Sequence, residues 1–385
     1  MHATPKLHNW GTPPWHIDFT VPSQREPLPE VLDFALIGGG FTGLAAAAWL
    51  RKIGPEKSVA VFEAGNIGAG ASGRTGGMAL AESAAGDLPG LGDVLAGFSE
   101  ILDQLEVECD RQLNGAWEVG REKSLPNSAI SWKDSGILRV TKEVPGGTID
   151  PGKLVGGLAE AAERLGARIL ENHPVANIRW GEVCEIELGS NAPEPKEISA
   201  RKIIFATNAL SLGLSGLEHG SHPRLTLAVA TEPVNEETLE RIGLAQRKPF
   251  YTTDMPYLWG RVRQDNSIIF GAGLVQSPDS DDLEGVDISA PEPARIFTTL
   301  ENRVRGLHPA LESVRFTHRW GGPIMFRDSW KPVFTWHPEA VKMKNGIVIG
   351  AFAGHGVALS SYLGRWAAEV LLEGRELPKW GELEG

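Results

Sequence analysis

A glycine-rich turn between two apolar segments constrains the fold of this chain more than any other feature. The apolar run DFALI (33–37) predicts a short buried strand. It is followed by GGGFTG (38–43) and by the Ala-rich LAAAAWLRKI (44–53), which predicts a helix that ends at Gly54-Pro55. SVAVF (58–62) predicts a second strand. Strand, glycine turn, helix and strand in this order predict a βαβ unit of a Rossmann-like α/β sheet.

The glycines of this turn have the spacing G-x-G-x-x-G, and an acid follows the second predicted strand. Gly38 permits the tight turn, Gly40 lets a pyrophosphate approach the backbone, and Gly43 lets the helix pack on the strands. The helix beginning near Thr42 offers unpaired N–H groups to phosphates. Glu63 can accept hydrogen bonds from a ribose diol and would repel the 2′-phosphate of NADP. These residues predict a dinucleotide site.

Charge and cysteine content exclude several other classes. The chain has 385 residues with 37 Lys and Arg against 49 Asp and Glu, a net charge of −12, and no basic block. This balance argues against nucleic-acid and anionic-membrane partners. Two separated cysteines, Cys109 and Cys184, exclude a disulfide framework and a thiolate metal site and favour a reducing compartment. No apolar signal core or membrane-length run is present, so a cytoplasmic protein is expected.

A second glycine segment, GNIGAGASGRTGG (65–77), follows Glu63 almost directly. It contains six glycines, and most of its other side chains are small. One interpretation is a flexible linker, but its position after the βαβ unit favours a backbone that closely approaches a ligand. A flavin dinucleotide lying across the sheet can use such a loop. Arg74 is then a candidate for completing the contact to it, and a solvated surface arginine is the alternative.

A third glycine motif, GAFAGHGV (350–357), precedes a helix predicted from about Val357. Its glycines again indicate a ligand near the main chain, and the helix N-terminus would stabilise negative charge on a reduced flavin. His355 is a candidate for adding to that effect or for contacting substrate. Capping of the helix or local packing is an equally good explanation of this histidine.

The remaining pattern predicts an α/β fold with a discontinuous, Rossmann-like nucleotide-binding domain and an inserted β-rich domain. The family resemblance given below implies that these are an FAD-binding domain and a substrate domain. Residues 1–30 are expected to form an extended arm on the surface. Residues 31–215 and 321–385 are assigned to the FAD-binding domain, and 216–320 to the β-rich substrate domain, with one helix near 292–306. Helices are also predicted over 91–113 and 151–165. A hairpin with the polar tip SNAPEPKE is predicted over 182–204.

These motifs, in this order, resemble those of one enzyme family. GGGFTG with Glu63, GAGASGRTGG (68–77), ATNA (206–209), ATEP (230–233), WGG (320–322) with Pro332, and GAFAGHGV (350–357) are similar to those of the FAD-dependent amino acid and amine oxidases. That family includes D-amino acid oxidase, glycine oxidase and sarcosine oxidase, and the resemblance is strongest to its gamma-glutamylputrescine oxidase-like branch. It runs from about residue 10 to the C-terminus.

The resemblance implies an FAD-dependent enzyme that oxidises the C–N bond of a small amine or amino acid. Hydride would pass to the flavin, the resulting imine would hydrolyse, and oxygen would be the usual acceptor, giving hydrogen peroxide. Motifs and resemblance together place the cofactor contacts at Gly38, Gly40, Phe41, Thr42, Gly43, Glu63, Ala64, Gly70, Ala71, Ser72, Gly73, Arg74, Gly76, Gly77, Met78, Val175, Ala206, Thr207, Asn208, Gly354, His355, Gly356 and Val357.

Two departures from the family pattern bear on substrate and cofactor. Relatives that act on α-amino acids carry an arginine after the WxG segment, which clamps the substrate carboxylate. Ile324 stands at that place here, which favours an amine without this contact, unless Arg327 or Arg261 substitutes for it. Relatives with covalent flavin place a cysteine nearby, and none occurs between residues 185 and 385, so non-covalent FAD is expected.

The segment PFYTTDMPYLWGRVR (249–263) is expected by similarity to supply the substrate pocket. The catalytic or substrate-contacting candidates are Tyr251, Tyr257, Trp259, Arg261 and His355, with ordinary strand packing as the alternative for each of the first four. Trp320 and Met325 are expected beside the flavin ring. Alternative functions are an amine dehydrogenase that passes electrons to a quinone or carrier, a non-catalytic flavin-binding subunit, and an NAD-dependent dehydrogenase. No hydrolase or metal-ligand motif is present.

Overall fold

The computed structural model describes residues 9–22, 28–121, 124–189, 197–276, 283 and 285–382. The tip of the predicted hairpin, 190–196, and the first eight residues of the predicted arm lie outside the described residues. Among the described helices none is long and apolar enough to cross a membrane.

The predicted βαβ unit is present. Strand β1 (Val31–Ile37) leads through the glycine turn into helix α1 (Phe41–Ile53), and β2 (Val59–Phe62) pairs parallel to β1. Side chains of β1 alternate between two hydrophobic clusters. Phe34 and Leu36 pack with the helices, while Ala35 and Ile37 pack toward the rest of the molecule. A strand buried on both faces is typical of a parallel sheet covered on both sides.

The first sheet has the strand order β17-β18-β11-β1-β2-β8, with β10 and β9 attached to the side of β11. Its further strands are β8 (Arg168–Leu170), β9 (Val175–Arg179), β10 (Cys184–Leu188), β11 (Glu197–Phe205), β17 (Val333–Trp336) and β18 (Gly346–Gly350). β1, β11 and β18 are parallel neighbours. Their carboxyl ends therefore meet at one edge, where ligands of such sheets bind.

The second sheet has the order β16-β12-β15-β14-β13-β4-β6-β5. Its strands are β4 (Ala116–Gly120), β5 (Trp132–Lys133), β6 (Ile137–Val144), β12 (Ser221–Thr231), β13 (Phe250–Thr252), β14 (Trp259–Val262), β15 (Ile268–Val275) and β16 (Phe316–Arg327). A small third sheet pairs β3 (Met78–Leu80) with β7 (Gly146–Thr148).

The sheets do not follow the predicted domain boundaries at two places. β4, β5 and β6, assigned by sequence to the FAD-binding domain, lie in the second sheet, because β4 pairs with β13 and β6. β16 crosses the predicted boundary at residue 320 as one continuous strand. No strands are predicted from the sequence over 116–144, and the partners of β4 and β16 are distant in sequence. The domain division as a whole stays a prediction.

The helices predicted over 151–165 and 292–306 are present as α3 (Pro151–Arg164) and α6 (Pro291–Leu307). The helix predicted over 91–113 is shorter, since α2 spans only Val94–Gln104. The remaining helices are α4 (Leu212–Ser215), α5 (Glu236–Ile242) and α7 (Gly356–Glu373), with single 3-10 turns at Pro309–Leu311, Pro338–Ala340 and Lys379–Gly381. α7 packs on α1, where a methyl group on Gly364 would lie 2.5 Å from the carbonyl oxygen of Thr42.

The described part of the N-terminal arm is not simply a surface segment. Trp10 and Trp15 are buried, and Gly11 forms a β-bridge with Trp320 of the second sheet. The indoles of Trp15 and Trp320 meet edge to face at 5.5 Å. Burial of two tryptophans makes the arm part of the core, because large aromatic side chains contribute much apolar area.

Candidate active site

A cavity of about 1910 Å³ lies where the carboxyl edge of the first sheet faces the second sheet. Most of the residues predicted to bind a dinucleotide or substrate line it. They are Gly38, Gly40, Phe41, Thr42, Glu63, Ala64, Gly70, Ala71, Ser72, Arg74, Gly76, Met78, Val175, Ala206, Thr207, Asn208, Tyr257, Trp259, Gly354, His355, Gly356 and Val357. The cavity is far larger than one small substrate needs, which suits an extended cofactor together with a substrate.

The first glycine turn is packed so tightly that no side chain fits. Gly38 has φ +108°, and a methyl group on it would lie 2.6 Å from the carbonyl oxygen of Ala206. On Gly43, which does not line the cavity, a methyl group would lie 2.0 Å from the carbonyl oxygen of Gly38. The turn therefore brings the N-terminus of α1 against the strand ends, with the N–H groups of its first turn lacking intrahelical acceptors.

Glu63 is fixed at the end of β2 by the main chain. Its Oε2 accepts a hydrogen bond from the Gly39 N–H at 2.8 Å, and its Oε1 accepts one from the Gly65 N–H at 2.9 Å. Burial raises the pKa of this carboxyl, against the lowering effect of the two N–H donors. Each carboxylate oxygen has further lone pairs, so the group can accept hydrogen bonds from a ribose diol.

The second glycine segment is held by contacts along its length and is not a flexible linker. Ser72 Oγ accepts a hydrogen bond from the Phe41 N–H at 2.9 Å. Trp15 Nε1 donates to the Gly73 carbonyl at 2.7 Å, and Trp320 Nε1 donates to the Arg74 carbonyl at 2.9 Å. Gly73 itself does not line the cavity, because its backbone packs against Gly68. The segment is thus a rigid wall of the cavity.

Arg74 lines the cavity and also donates to main-chain carbonyls, so its contact with the cofactor stays a prediction. Its Nη1 donates to the carbonyls of Trp10, Gly11 and Gly321 at 3.2, 2.9 and 3.2 Å, and its Nε donates to the Ala69 carbonyl at 3.1 Å. Burial lowers the pKa of the guanidinium. Arg74 therefore joins the arm, the glycine segment and β16.

The third glycine motif forms a strained turn before α7. Ala351 and Ala353 have φ of +57° and +48°, a left-handed conformation that alanine rarely adopts, and Asn208 Oδ1 accepts a hydrogen bond from the Ala351 N–H at 3.0 Å. Such strain is typical of ligand sites. Burial lowers the pKa of His355, whose Nδ1 lies 3.4 Å from the Ala353 carbonyl oxygen, so its imidazole is neutral at pH 7.

The candidate substrate side of the cavity is mainly apolar. The Trp259 indole lies between two glycines, since methyl groups on Gly76 and Gly271 would each come within about 2.2 Å of its ring. Trp320 and Met325, predicted to lie beside a flavin ring, line the cavity and are fully buried. Tyr257 lies on this side with 41% of its surface exposed.

Two predicted pocket residues lie outside this cavity. The Tyr251 hydroxyl donates to Glu118 Oε1 at 3.2 Å, within the second sheet. Arg261 shares a face of β14 with Trp259, but it lies behind the glycine segment, where its Nε donates to the Gly76 carbonyl. Gly77 is also outside the cavity because its φ of +77° turns the chain toward the Ile149 carbonyl. Arg327, suggested as a substitute carboxylate ligand, is buried and does not line the cavity either.

One side of α6 also lines the cavity, which the sequence interpretation missed. Ile296, Leu300 and Arg303 recur at a spacing of three or four residues, the signal from which this face was predictable. Arg303 is engaged, because its Nη2 donates to Asp134 Oδ2 at 2.6 Å and to the Pro256 carbonyl at 2.7 Å. Within the described ranges, no cluster of His, Cys, Asp and Glu is suited to a metal ion.

Unsatisfied polar atoms in the cavity support a dinucleotide. Thr207 Oγ1 and Ser360 Oγ are buried without a hydrogen-bond partner and belong to residues that line the cavity. Buried hydroxyls normally have partners, so these two are suited to bind a ligand. Together with Glu63 and the N-termini of α1 and α7, they fit a molecule with phosphates, a ribose and a polar ring edge.

Comparison with known proteins agrees with this geometry. A family model described as FAD dependent oxidoreductase matches residues 33–370. The gamma-glutamylputrescine oxidoreductase of Escherichia coli (strain K12) is 26% identical over 88% of this chain and 83% of its own length. Glycine oxidase from Geobacillus kaustophilus has a similar fold, with a TM-score of 0.67, 18% identity, and coverage of 90% of this chain and 96% of its own. L-proline dehydrogenase from P. horikoshii gives a TM-score of 0.66 at 17% identity, covering 91% and 95%.

Proposed function

The chain belongs to the FAD-dependent oxidoreductase family, and we propose that this member oxidises the C–N bond of a small amine that lacks an α-carboxylate. FAD is its cofactor. When bound, FAD supplies the acceptor for a hydride from the carbon beside the nitrogen, and with oxygen as final acceptor the products are an imine and hydrogen peroxide. The observation that carries the proposal is an apolar substrate side in which each arginine is already engaged.

The residues that would hold FAD come from both ends of the chain. Glu63 would accept the ribose hydroxyls, and the N-terminus of α1 would bind the pyrophosphate. Thr207 and Ser360 would donate to the polar edges, and the N-terminus of α7 would stabilise negative charge on the ring. None of these contacts involves a cysteine, since Cys109 and Cys184 are buried outside the cavity. Binding is therefore proposed to be non-covalent.

The apolar wall formed by Trp259, Trp320 and Met325 would act on the protonation state of the substrate. An amine must be neutral to release a hydride from the neighbouring carbon. Transfer into a site with little water disfavours the ammonium form and lowers the pKa of the amine. We assign no general base, because desolvation alone acts in the required direction.

The hydrogen bonds of the two cavity arginines favour an amine over an α-amino acid. Arg74 and Arg303 are the arginines that line the cavity in the described part of the chain. Arg74 donates from Nε and Nη1 to main-chain carbonyls, and Arg303 donates to Asp134 and to the Pro256 carbonyl. Ile324 stands where the resemblance calls for the carboxylate ligand, with its Cδ1 3.3 Å from a methyl group placed on Gly354. A carboxylate in this site would lose its hydration without a bidentate partner. The Escherichia coli relative is named for γ-glutamylputrescine, whose putrescine amino group has no carboxylate on the neighbouring carbon.

Matched substrate pairs test the proposal. Purified holoprotein is mixed anaerobically with an amine and with its α-carboxylated counterpart, for example putrescine against ornithine, and bleaching of the flavin is followed. We expect the amine of a pair to bleach the flavin, and readmission of air to give hydrogen peroxide in equal amount.

Each other outcome contradicts a stated part of the proposal. Faster bleaching by the carboxylated member refutes the substrate class. Bleaching without peroxide, together with reduction of an artificial dye, identifies a dehydrogenase. A yellow protein that no member of a broad amine panel bleaches is a flavin-binding protein without this activity.

A further inference from the structure

A second cavity, of about 280 Å³, lies behind the glycine segment on the side away from the main cavity. Its lining is mostly polar and includes Arg261 of β14, Asp150 at the start of α3, and side chains from the loop after β14. Nothing in the proposed amine oxidation uses this cavity. It is large enough to hold a small ion together with water.

Arg261 is a buried cation with an incomplete set of partners. The residue is only 5% exposed, and its Nε donates to the Gly76 carbonyl. Its Nη2 is buried with no hydrogen-bond acceptor in the described part of the molecule, and none of the ion pairs there includes its guanidinium. Burial lowers the pKa of Arg261 to about 10, which still leaves it charged at neutral pH.

The other charges around the cavity already have partners. Asp150 Oδ1 accepts a hydrogen bond from the Lys153 N–H at 3.0 Å and so offsets the positive end of α3. The remaining ion pairs are Lys153–Asp110 at 2.8 Å, Arg263–Asp265 at 2.9 Å and Arg247–Glu236 at 2.8 Å. The carboxylates of Asp150, Asp110 and Asp265 act on the Arg261 charge from a distance, and Arg261 is the cation of this lining that has no ion-pair partner among the described residues.

We propose that the second cavity binds a small oxyanion, with the guanidinium of Arg261, which lines this cavity, as its principal donor. A buried charge without a partner is costly, and water supplies an acceptor but no compensating charge. Arginine is suited to phosphate, sulfate and carboxylate groups, because its planar donors match their oxygens. Polar side chains of Gln112 and Thr148, which also line the cavity, can complete the shell of the ion.

Binding of the anion in the second cavity is expected to affect the wall of the main cavity. The guanidinium that would hold the ion also holds the Gly76 carbonyl, and Gly76 contacts the Trp259 indole on its other side. An ion that orders Arg261 therefore stabilises the wall of the cofactor cavity. This inference concerns binding alone and does not depend on which substrate the enzyme oxidises.

The test is a titration of the holoprotein at constant ionic strength with inorganic phosphate and, separately, with acetate. Calorimetry and thermal unfolding are both followed, together with the flavin absorbance spectrum. We expect saturable binding of one ion per chain and a rise in the unfolding temperature that saturates with it. The two titrations distinguish a free phosphate from a carboxylate as the source of the oxyanion.

Charge variants at the rim give the decisive controls. Lys153→Gln leaves Asp110 unpaired and is expected to weaken binding by roughly five-fold, while Asp110→Asn is expected to strengthen it by a similar factor. Arg261→Met is expected to abolish it. Arg315→Gln, which breaks an exposed pair with Glu232 far from the cavity, is expected to leave it unchanged.

Three results would overturn the proposal. One is the absence of saturable binding of either ion in the unmodified protein, which would mean that the cavity holds water only. Another is unchanged affinity in both Lys153→Gln and Asp110→Asn, which would place any binding elsewhere. The third is retained binding in a folded Arg261→Met protein; should that variant fail to fold, the two rim variants still decide the question.

Discussion

Gly43 and Gly306 are both helical glycines, but a methyl group would meet very different surroundings at the two positions. On Gly43, in the first turn of α1, it would lie 2.0 Å from the Gly38 carbonyl oxygen, whereas ordinary contacts begin at 3.4 Å. On Gly306, near the end of α6, it would meet nothing within 4 Å. The obstacle at Gly43 is main chain of the glycine turn, which cannot move aside as a flexible side chain can.

Gly43→Ala is therefore expected to destabilise the protein, and Gly306→Ala to stabilise it. Overpacking of this kind costs about 1–3 kcal/mol, against a gain of about 1 kcal/mol in helix propensity. Because the obstacle is backbone, we expect an overpacking cost near the upper end of that range. After the gain in helix propensity, the net loss of unfolding free energy is about 2 kcal/mol. Gly306→Ala is expected to gain about 0.5 kcal/mol, since only the propensity difference acts there.

Urea unfolding of the apoproteins measures these free energies, and quenching of flavin fluorescence measures FAD affinity. Gly43→Ala should also weaken FAD binding, because the N-terminus of α1 must move away from the strand ends. Gly306→Ala should bind FAD like the unmodified protein. Equal stability of the two variants would refute the argument that close packing of α1 on the turn requires glycine at position 43.

Three further predictions concern the cofactor, the substrate and pH. Glu63→Gln should weaken FAD binding by about 10-fold or more in a fluorescence titration, because a charged acceptor for the ribose is lost; an unchanged affinity would exclude this role. Ile324→Arg should raise kcat/KM for α-amino acids by about 10-fold or more relative to Ile324→Leu, since a bidentate partner for the carboxylate is gained; equal values would count against the proposed carboxylate position. His337 stacks on Trp180 and Phe205 at 4.6 and 5.0 Å, and burial lowers its pKa below 6.5. The unfolded chain then binds the proton of His337 more tightly than the folded chain does. The stability contributed by the neutral, stacked imidazole is therefore present above about pH 6.5 and is lost as the pH falls toward the lowered pKa. Urea unfolding at several pH values should show that His337→Phe loses less unfolding free energy at low pH than the unmodified protein does. The same pH dependence in both proteins would contradict the assignment to His337.

Local pattern was enough to predict the elements around the cofactor. The βαβ unit, the acid at Glu63 and the helix after the third glycine motif are all encoded within short stretches, and each is present. Parallel strands bring such motifs to one edge whatever the chain does between them. Most of the expected residues therefore line one cavity, although Gly38 and Val357 lie at opposite ends of the chain.

Pairing between distant segments was beyond the reach of the sequence. Nothing local in β4 or β6 shows that they join the sheet of β13 rather than that of β1, because both sheets need the same strand chemistry. The spacing of Tyr251, Trp259 and Arg261 could not show which of them faces the cavity. Their placement depends on which side of β13 and β14 the glycine segment passes.

Arg74 and Arg261 show how the same residue type can serve the cofactor site indirectly. Both were expected to contact a ligand in the main cavity, yet both donate to main-chain carbonyls of the segments that form its wall. A glycine-rich wall has no side chains to stabilise it, so its carbonyls must be held from outside if it is to keep one conformation. Trp15 and Trp320 do the same through their indole N–H groups. The close approach that glycine allows therefore depends on large residues packed behind it, and those residues come from the arm, β14 and β16.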